Sequence, residues 1–150
     1  MWKGGVRVVV PDENGRVLLA CQKHEDREIW MLPGGGIEED EDASQAAVRE
    51  ILEETGLVVD PGPLLWHVEE VSPGRGQRFV NFFLSRIIGG RLELGADPER
   101  EEQVLLELRF FSPAEMKQLP QVYPDWLPEE LEKVMEKGPA AAGDPFRLRK

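Results

Sequence analysis

Short runs of β-branched and other apolar residues alternate with turn residues along the first part of the chain and predict strands. The segment "GVRVVVPDENGRVLLAC" places two such runs on either side of Asn14-Gly15, a pair that is typical of a β-hairpin turn. We expect strands near residues 6–10 and 17–21. A third run, "EIWML", stops at Pro33 and three glycines, so it predicts a strand that leads into a loop with few steric restrictions.

The segment after the glycines predicts a helix with both ends marked. Asp42 suits the N-cap and has Gln45 in capping-box register, while Gly56 is the residue type preferred just past a helix end. Further runs predict three more strands, and two proline-initiated segments, 113–119 and 128–137, predict helices. This order of elements predicts an α/β protein, in which helices cover both faces of a sheet in an α/β/α sandwich.

The size of the chain suits a single domain. Its 150 residues, of which 41% are hydrophobic, are enough for one compact core and leave little room for a second. We assign residues 1–137 to this domain. The remaining segment, "GPAAAGDPFRLRK" at 138–150, is rich in small and polar residues, and we expect it to form a flexible C-terminal tail.

The charge of the chain is strongly negative and concentrated. The formal net charge is −11, and eight acidic residues lie between positions 38 and 54, where Arg49 is the only basic residue. Duplex nucleic acid and anionic membranes are bound through basic surfaces, so the charge argues against both partners. Small phosphate compounds are compatible with it, provided that a cation lies between the phosphates and the acids.

Two further features indicate a cytoplasmic protein. Cys21 is the only cysteine, so no internal disulfide can form, which favours a reducing compartment. The N-terminal segment has no long apolar run followed by a small-residue cleavage site, and no segment approaches the roughly 20 apolar residues of a membrane span.

The predicted helix concentrates acids on one face. At about 100° per residue, Glu50, Glu53 and Glu54 share a face with alanines that leave room for the glycine loop to approach closely. The other side is apolar, with Val48, Ile51 and Leu52, and we expect it to dock on the sheet. Three carboxylates beside backbone carbonyls would form an oxygen-rich site suited to Mg²⁺ or Mn²⁺. The alternative from the pattern alone is an acidic helix face in contact with solvent.

The spacing of the acids decides between these interpretations. The segment 35–57 resembles, without departure, the Nudix box: a glycine, five residues, a glutamate, seven residues, then R-E-U-x-E-E-x-G-U with U aliphatic. Average composition would produce this pattern about once in 10⁹ starting points. The resemblance extends to the preceding "WMLPGG" and to the N-terminal hairpin. The matching positions are Gly35, Glu41, Arg49, Glu50, Ile51, Glu53, Glu54, Gly56 and Leu57.

The resemblance to the Nudix hydrolases implies both a fold and an activity. The fold is an α/β/α sandwich with a mixed β-sheet, in which the box forms a loop-helix-loop. The activity is Mg²⁺-dependent hydrolysis of a nucleoside diphosphate linked to another moiety, with Mn²⁺ as a substitute metal. The expected substrate is a small nucleotide such as ADP-ribose, a nucleotide sugar or a (d)NTP.

The resemblance also implies roles for individual residues. Glu50 and Glu54 are the expected metal ligands, Glu53 is a third ligand or the general base, and the carbonyl of Gly34 is a backbone ligand. Arg49 matches the arginine that orients the glutamates and does not touch the substrate. Some family members take the base from a later loop, for which Glu101 or Glu102 is the candidate here.

The identity of the substrate stays open. Pro73 lies sixteen residues past Leu57, where ADP-ribose-cleaving members tend to have a proline, but "SPGRGQ" lacks the aromatic residues that accompany it. Dinucleoside polyphosphate cleavers favour a tyrosine in that region, and Tyr123 is the only tyrosine. The alternatives are a non-catalytic nucleotide sensor and an RNA 5′-end pyrophosphohydrolase with a local basic groove. By analogy with the family, the chain can also form a homodimer.

Overall fold

The computed structural model describes residues 3–74, 76–94 and 104–149, and in that part of the chain it contains two β-sheets and three α-helices. The strands are β1 (Gly4–Val9), β2 (Val17–His24), β3 (Arg27–Met31), β4 (Gly34–Gly36), β5 (Leu57–Ser72), β6 (Gly76–Gly90), β7 (Val104–Phe111), β8 (Val122–Tyr123) and β9 (Phe146–Arg149). The helices are α1 (Ala43–Thr55), α2 (Pro113–Met116) and α3 (Leu127–Lys137), followed by a 3-10 helix (Pro139–Ala142). None of the described helices has the length and apolar content needed to span a membrane.

The two sheets are mixed and lie between the helices. One has the strand order β4-β1-β6-β5-β9 and the other β7-β2-β3-β8, and each combines parallel and antiparallel pairs. Helix α1 packs on one side through Ala46 and Ile51, in a cluster with Val6 and Leu18. Helix α3 closes the other side through a separate apolar cluster. The predicted α/β/α sandwich is therefore confirmed.

The Asn14-Gly15 turn forms, but its two strands separate into different sheets. Gly15 has a φ of 77°, and the side chain of Asp12 accepts hydrogen bonds from the backbone N–H groups of Asn14 and Arg16. Beside the turn, β1 and β2 are joined only by short pairing around Pro11 and Val17. Because both faces of these strands are buried, each strand can pair further along with a different neighbour.

Helix α1 begins and ends where the sequence predicts. Asp42 is the N-cap and forms the capping box with Gln45, and Gly56 ends the helix in the left-handed region at φ 76°. A side chain at Gly56 would also overlap the carbonyl oxygen of Arg91, so glycine is required there for two reasons. These two ends fix which residues of the acidic segment are helical.

The face that α1 buries differs from the prediction. Ala46, Ala47 and Ile51 are fully buried, whereas Leu52 is 50% exposed, so the expectation that Leu52 docks on the sheet was wrong. The small alanine side chains let the helix axis approach the sheet closely. This approach places Glu50 and Glu54, on the neighbouring part of the helix surface, inside the protein.

The C-terminal segment, for which the sequence predicts a flexible tail over residues 138–150, contains the 3-10 helix and strand β9. Strand β9 pairs in parallel with β5, beginning with Phe146 opposite His67. The indole N–H of Trp66 donates a hydrogen bond to the carbonyl of Ala142 at 3.3 Å. The alternation "FRLR" is only four residues long, which is too short for the pattern to predict a strand.

Candidate metal and catalytic site

Strand β4 consists of three glycines and lies between β1 and helix α1. A β-carbon at Gly34 would overlap the carbonyl oxygen of Val6 and lie 2.9 Å from the Cα of Arg7. A β-carbon at Gly35 would lie 2.5 Å from the carboxylate carbon of Glu50. Glycine is therefore needed at position 34, where the backbone of β1 lies against it, whereas a side chain at position 35 would displace the carboxylate of Glu50.

Two glutamates of α1 lie buried against this strand. Glu50 is 5% exposed and Glu54, one helical turn later, is 3% exposed. The backbone N–H of Gly34 donates a hydrogen bond to Oε2 of Glu54 at 3.1 Å, and Oε1 of Glu50 accepts one from Nη1 of Arg49 at 3.0 Å. Carboxylates are rarely buried to this extent unless they are paired with a cation or bind a metal.

Arg49 connects the acidic residues to the glycine strand. Its Nη2 donates to the carbonyl of Gly36 at 2.9 Å and to Oε1 of Glu41 at 2.6 Å, and its Nη1 reaches Oε2 of Glu53 at 3.2 Å. The hydrogen bond to Glu41 contributes most to a raised pKa of Arg49, so the guanidinium stays charged. This geometry supports the orienting role that the family resemblance implies for Arg49.

The structure does not bring all predicted residues together. The side chain of Glu53 is 51% exposed and is held on the outer side of the helix by Arg49. Among the described residues, no three Asp, Glu, His or Cys side chains are close enough to hold one ion, so the predicted convergence of three glutamates is not observed. Glu101 and Glu102 lie outside the described residues.

The donor atoms at Glu50 and Glu54 nevertheless fit Mg²⁺. Carboxylate and backbone carbonyl oxygens are the ligands that this ion prefers, and β4 brings glycine backbone up to the carboxylate of Glu50. Mg²⁺ usually keeps several water ligands and binds through only one or two carboxylates together with substrate phosphates. A pair of buried glutamates is therefore compatible with Mg²⁺, and the assignment of these residues as ligands stays a prediction.

Glu41 has a larger structural role than its place in the motif indicates. It accepts hydrogen bonds from both Nε and Nη2 of Arg49 and one from the backbone N–H of Glu38. The hydrogen bond from Arg49 is the main cause that lowers the pKa of Glu41. The spacing of eight residues between Glu41 and Arg49 is the sequence signal for this pair, but the chain has to turn into α1 before the two side chains meet.

We expect Glu41→Gln to lower the free energy of unfolding at pH 7. The same substitution should make the free energy of unfolding less dependent on pH in the acidic range. A carboxyl with a lowered folded-state pKa stabilises the protein above its unfolded pKa of about 4.5, and that stabilisation is lost as pH falls through the folded value. Loss of about 1 kcal/mol would lower the Tm by roughly 2–4 °C. Thermal melts from pH 3 to 7, with Glu132→Gln as an exposed ion-pair control, measure the effect. Parallel acid curves for wild type and Glu41→Gln would contradict it.

Comparisons with known proteins agree with this arrangement. The family model described as "NUDIX domain" matches residues 1–130. The chain is 31% identical over 126 residues to an RNA pyrophosphohydrolase of Dinoroseobacter shibae, a match that covers 73% of this chain and 76% of that protein. It is 39% identical over 98 residues to an 8-oxo-dGDP phosphatase of Mus musculus, which covers 64% of this chain but only 29% of the mouse protein.

A solved structure shows the same fold. A Nudix hydrolase from Nitrosomonas europaea superimposes with a TM-score of 0.73 at 19% identity, over 92% of this chain and 90% of that one. At this identity the likeness supports the fold alone, whereas the family model and the bacterial relative cover most of the sequence, including the box. The chain therefore belongs to the Nudix family, and it is an enzyme that acts on a diphosphate bond.

Proposed function

We propose that the protein is a Mg²⁺-dependent pyrophosphohydrolase that cleaves a small nucleotide in which a nucleoside diphosphate is linked to another moiety. ADP-ribose, a nucleotide sugar and a (d)NTP all have this chemistry. The observation that carries the proposal is the burial of Glu50 and Glu54 against a strand made only of glycine. Two buried carboxylates beside a backbone without side chains form a site suited to a cation. That cation can in turn bind phosphate.

Glu50, Glu54 and the carbonyl of Gly34 would hold the metal. When bound there, Mg²⁺ neutralises phosphate oxygens and lowers the pKa of water for attack on phosphorus. Arg49 keeps the carboxylate of Glu50 in place through the hydrogen bond at 3.0 Å, so the ligand is preorganised before the metal binds. The glycines of β4 keep side chains away from the face of this strand where the phosphates would lie.

The candidates for the general base are Glu53 and a glutamate of the later loop, Glu102 or its neighbour Glu101, whose variant is read in the same way as that of Glu102. Glu53 is exposed and has room to approach a water molecule, but it also shares Arg49 with Glu50. If Glu102 is the base, Glu102→Gln loses kcat and keeps wild-type Mg²⁺ affinity. If Glu53 is both the general base and a metal ligand, Glu53→Gln lowers both kcat and Mg²⁺ affinity. Single-turnover rates and Mg²⁺ titrations measure these effects, and the exposed Glu129→Gln is the control. Wild-type kcat in both variants would exclude both residues as the base.

Hydrolysis at RNA 5′ ends is a second candidate function, which the named activity of the Dinoroseobacter shibae relative favours. The net charge of −11 opposes it. The basic groove considered from the sequence consists of Arg7, Arg75 and Arg78. Of these, Arg78 is paired with the buried Glu70 at 2.6 Å, and Arg75 lies outside the described residues. A non-catalytic sensor is disfavoured because the box is complete.

The structure adds little support for ADP-ribose as the substrate, which the position of Pro73 in the sequence suggested. Pro73 is exposed in the turn between β5 and β6. Across the sheet, Gly34 is level with Arg7 of β1 and therefore with Phe82 of β6. Phe82 lies six residues after Gly76, where β6 begins next to the turn. At about 3.3 Å per residue, Pro73 lies roughly 20 Å along the sheet from the level of Gly34. We therefore keep all three small-nucleotide classes as substrates to be tested.

A substrate panel tests the proposal. ADP-ribose, nucleotide sugars, normal and oxidised deoxynucleoside triphosphates and 5′-triphosphorylated RNA are each incubated with Mg²⁺ or Mn²⁺, and products are identified by mass. We expect efficient cleavage of one small-nucleotide class. Preferred cleavage of RNA, with an affinity that falls steeply with salt, would replace the first candidate with the second. No turnover of any diphosphate would contradict the proposal. Cytoplasmic location and homodimer formation stay predictions.

A further inference from the structure

The buried side chain of Gln22 has an amide nitrogen without a hydrogen-bond partner in the described part of the chain. Gln22 lies in β2, is 2% exposed, and its Nε2 has no hydrogen-bond acceptor among the residues that the structure describes. Burying a donor without a partner destabilises the folded state. Native proteins keep few such groups, and a ligand or an ordered water often explains those that they keep.

The surroundings of Gln22 are apolar. Side chains on one face of a strand alternate with those on the other, so Gln22 shares its face with Ala20 and Leu18. Across β3 its register partner is Ile29, and Ala20 is opposite Met31. Ala20, Ile29 and Met31 are all at most 8% exposed and carry no side-chain hydrogen-bonding donor. Beyond them on the same face, Arg27 is exposed. The buried part of this face therefore surrounds the Nε2 donor of Gln22 with apolar side chains.

This face lies on the side of the protein where α1 and the candidate metal site are found. Leu18 packs in the same cluster as Ala46 and Ile51 of α1. Strand β3 continues from Met31 through Leu32 and Pro33 directly to Gly34, a distance of about 10 Å for three extended residues. A nucleoside attached to a diphosphate at Gly34 has the length to reach the face that contains Met31 and Gln22.

We propose that Gln22 is a specificity residue whose Nε2 donates a hydrogen bond to an acceptor atom on the base of the nucleotide. The proposal rests on the proposed function, because it assumes that the diphosphate lies beside β4. Apolar walls with one or two placed polar groups are typical of sites for flat organic ligands. A phosphate in this position would need a cation beside the buried amide, but Lys23 lies on the opposite face of the strand and Arg27, on the same face as Ile29, is exposed.

The kinetic test compares substrates with and without a base. The variant is Gln22→Met, which preserves volume and removes the donor, and the control is Gln77→Met at an exposed glutamine of β6. For the preferred nucleotide, kcat/KM should fall by about tenfold or more in Gln22→Met, as expected for the loss of a buried hydrogen bond. For the matching sugar diphosphate compound without a base, kcat/KM should stay within about twofold of wild type. An equal fall for both compounds, or for neither, would overturn the proposal.

A melting experiment tests Gln22 independently of hydrolysis. Without ligand, Gln22→Met should melt at or above the wild-type temperature, because it removes a buried donor that has no partner. The nucleoside monophosphate of the preferred base, added without metal, should raise the Tm of wild type more than that of Gln22→Met. Equal shifts would mean that the amide binds a buried water only, and the proposal would be wrong. If Gln22→Met does not fold, Gln22→Leu takes its place in both experiments.

The two experiments also separate the proposals. If wild type cleaves no diphosphate but a nucleoside monophosphate still stabilises it more than Gln22→Met, the proposed function fails and the base contact stands. If cleavage is efficient and base recognition is unchanged in Gln22→Met, the proposed function stands and the assignment of Gln22 fails.

Discussion

Glu54→Gln is expected to lower kcat by at least about 100-fold while the protein stays folded. The substitution keeps the size of the side chain and an oxygen that can still accept the hydrogen bond from the backbone of Gly34. It removes the negative charge at a side chain that is only 3% exposed. If this charge holds a cation that neutralises developing charge on phosphate, its loss falls in the range typical of lost electrostatic catalysis.

The control for this variant is Glu129→Gln, an exposed glutamate in the first turn of α3. Initial rates are measured at saturating Mg²⁺ and substrate, and a thermal melt confirms that each variant is folded. Glu129→Gln should keep the wild-type rate. Near-wild-type kcat in folded Glu54→Gln would rule out Glu54 as an essential metal ligand.

Gly35→Ala should lower kcat/KM by about 10- to 100-fold with little loss of stability. The new methyl group would lie 2.5 Å from the carboxylate of Glu50, so that side chain has to move. The atoms in conflict are the flexible end of a glutamate and not backbone, so the fold can accommodate the change. A displacement of about 1 Å at a catalytic group can cost on the order of 100-fold in rate.

Gly4→Ala is the matched control in the same sheet, because a β-carbon at Gly4 has only an ordinary contact of 3.7 Å with Ile37. We expect wild-type kcat/KM from Gly4→Ala. Increasing Mg²⁺ should restore part of the activity of Gly35→Ala if the displaced carboxylate weakens metal binding. Full activity of Gly35→Ala at low Mg²⁺ would show that the position of Glu50 is not critical.

The sequence predicted local features of the site well because the signals are local. Asp42 and Gly56 mark the ends of α1 through hydrogen bonds and a backbone conformation that involve only near neighbours. The glycines before the helix indicated that another part of the protein lies close to their backbone. In the structure, β1 lies close on one side and the side chain of Glu50 on the other. The fold class followed from the order of elements.

The errors concern contacts between distant segments. An apolar pattern on α1 could not tell that the helix docks through alanines and leaves Leu52 half exposed. Angles on a helical wheel place Glu53 with Glu50 and Glu54 but do not reveal its ion pair with Arg49, and a role for Glu53 as ligand or base stays a prediction. Gln22 could not be singled out from the sequence, because a glutamine without a partner is recognised only after the strands around it are paired.

The crowding of acidic residues between positions 38 and 54 has two explanations in this structure. Arg49 neutralises part of it by joining Glu41, Glu50 and Glu53. The metal that we propose would offset the mutual repulsion and the burial of two glutamates that lie one helical turn apart. This second explanation is the central claim.

The most direct test is a thermal melt of wild type and Glu54→Gln across a Mg²⁺ series at constant ionic strength, which separates specific binding from screening. Binding to the native state stabilises it by RT ln(1 + [L]/Kd), about 2.7 kcal/mol at a hundredfold excess over Kd. We predict that the wild-type Tm climbs with Mg²⁺ and that Glu54→Gln shows little response. A wild-type Tm that stays constant up to about 10 mM Mg²⁺, well above the Kd expected for a functional site, would contradict the assignment of Glu50 and Glu54 as metal ligands.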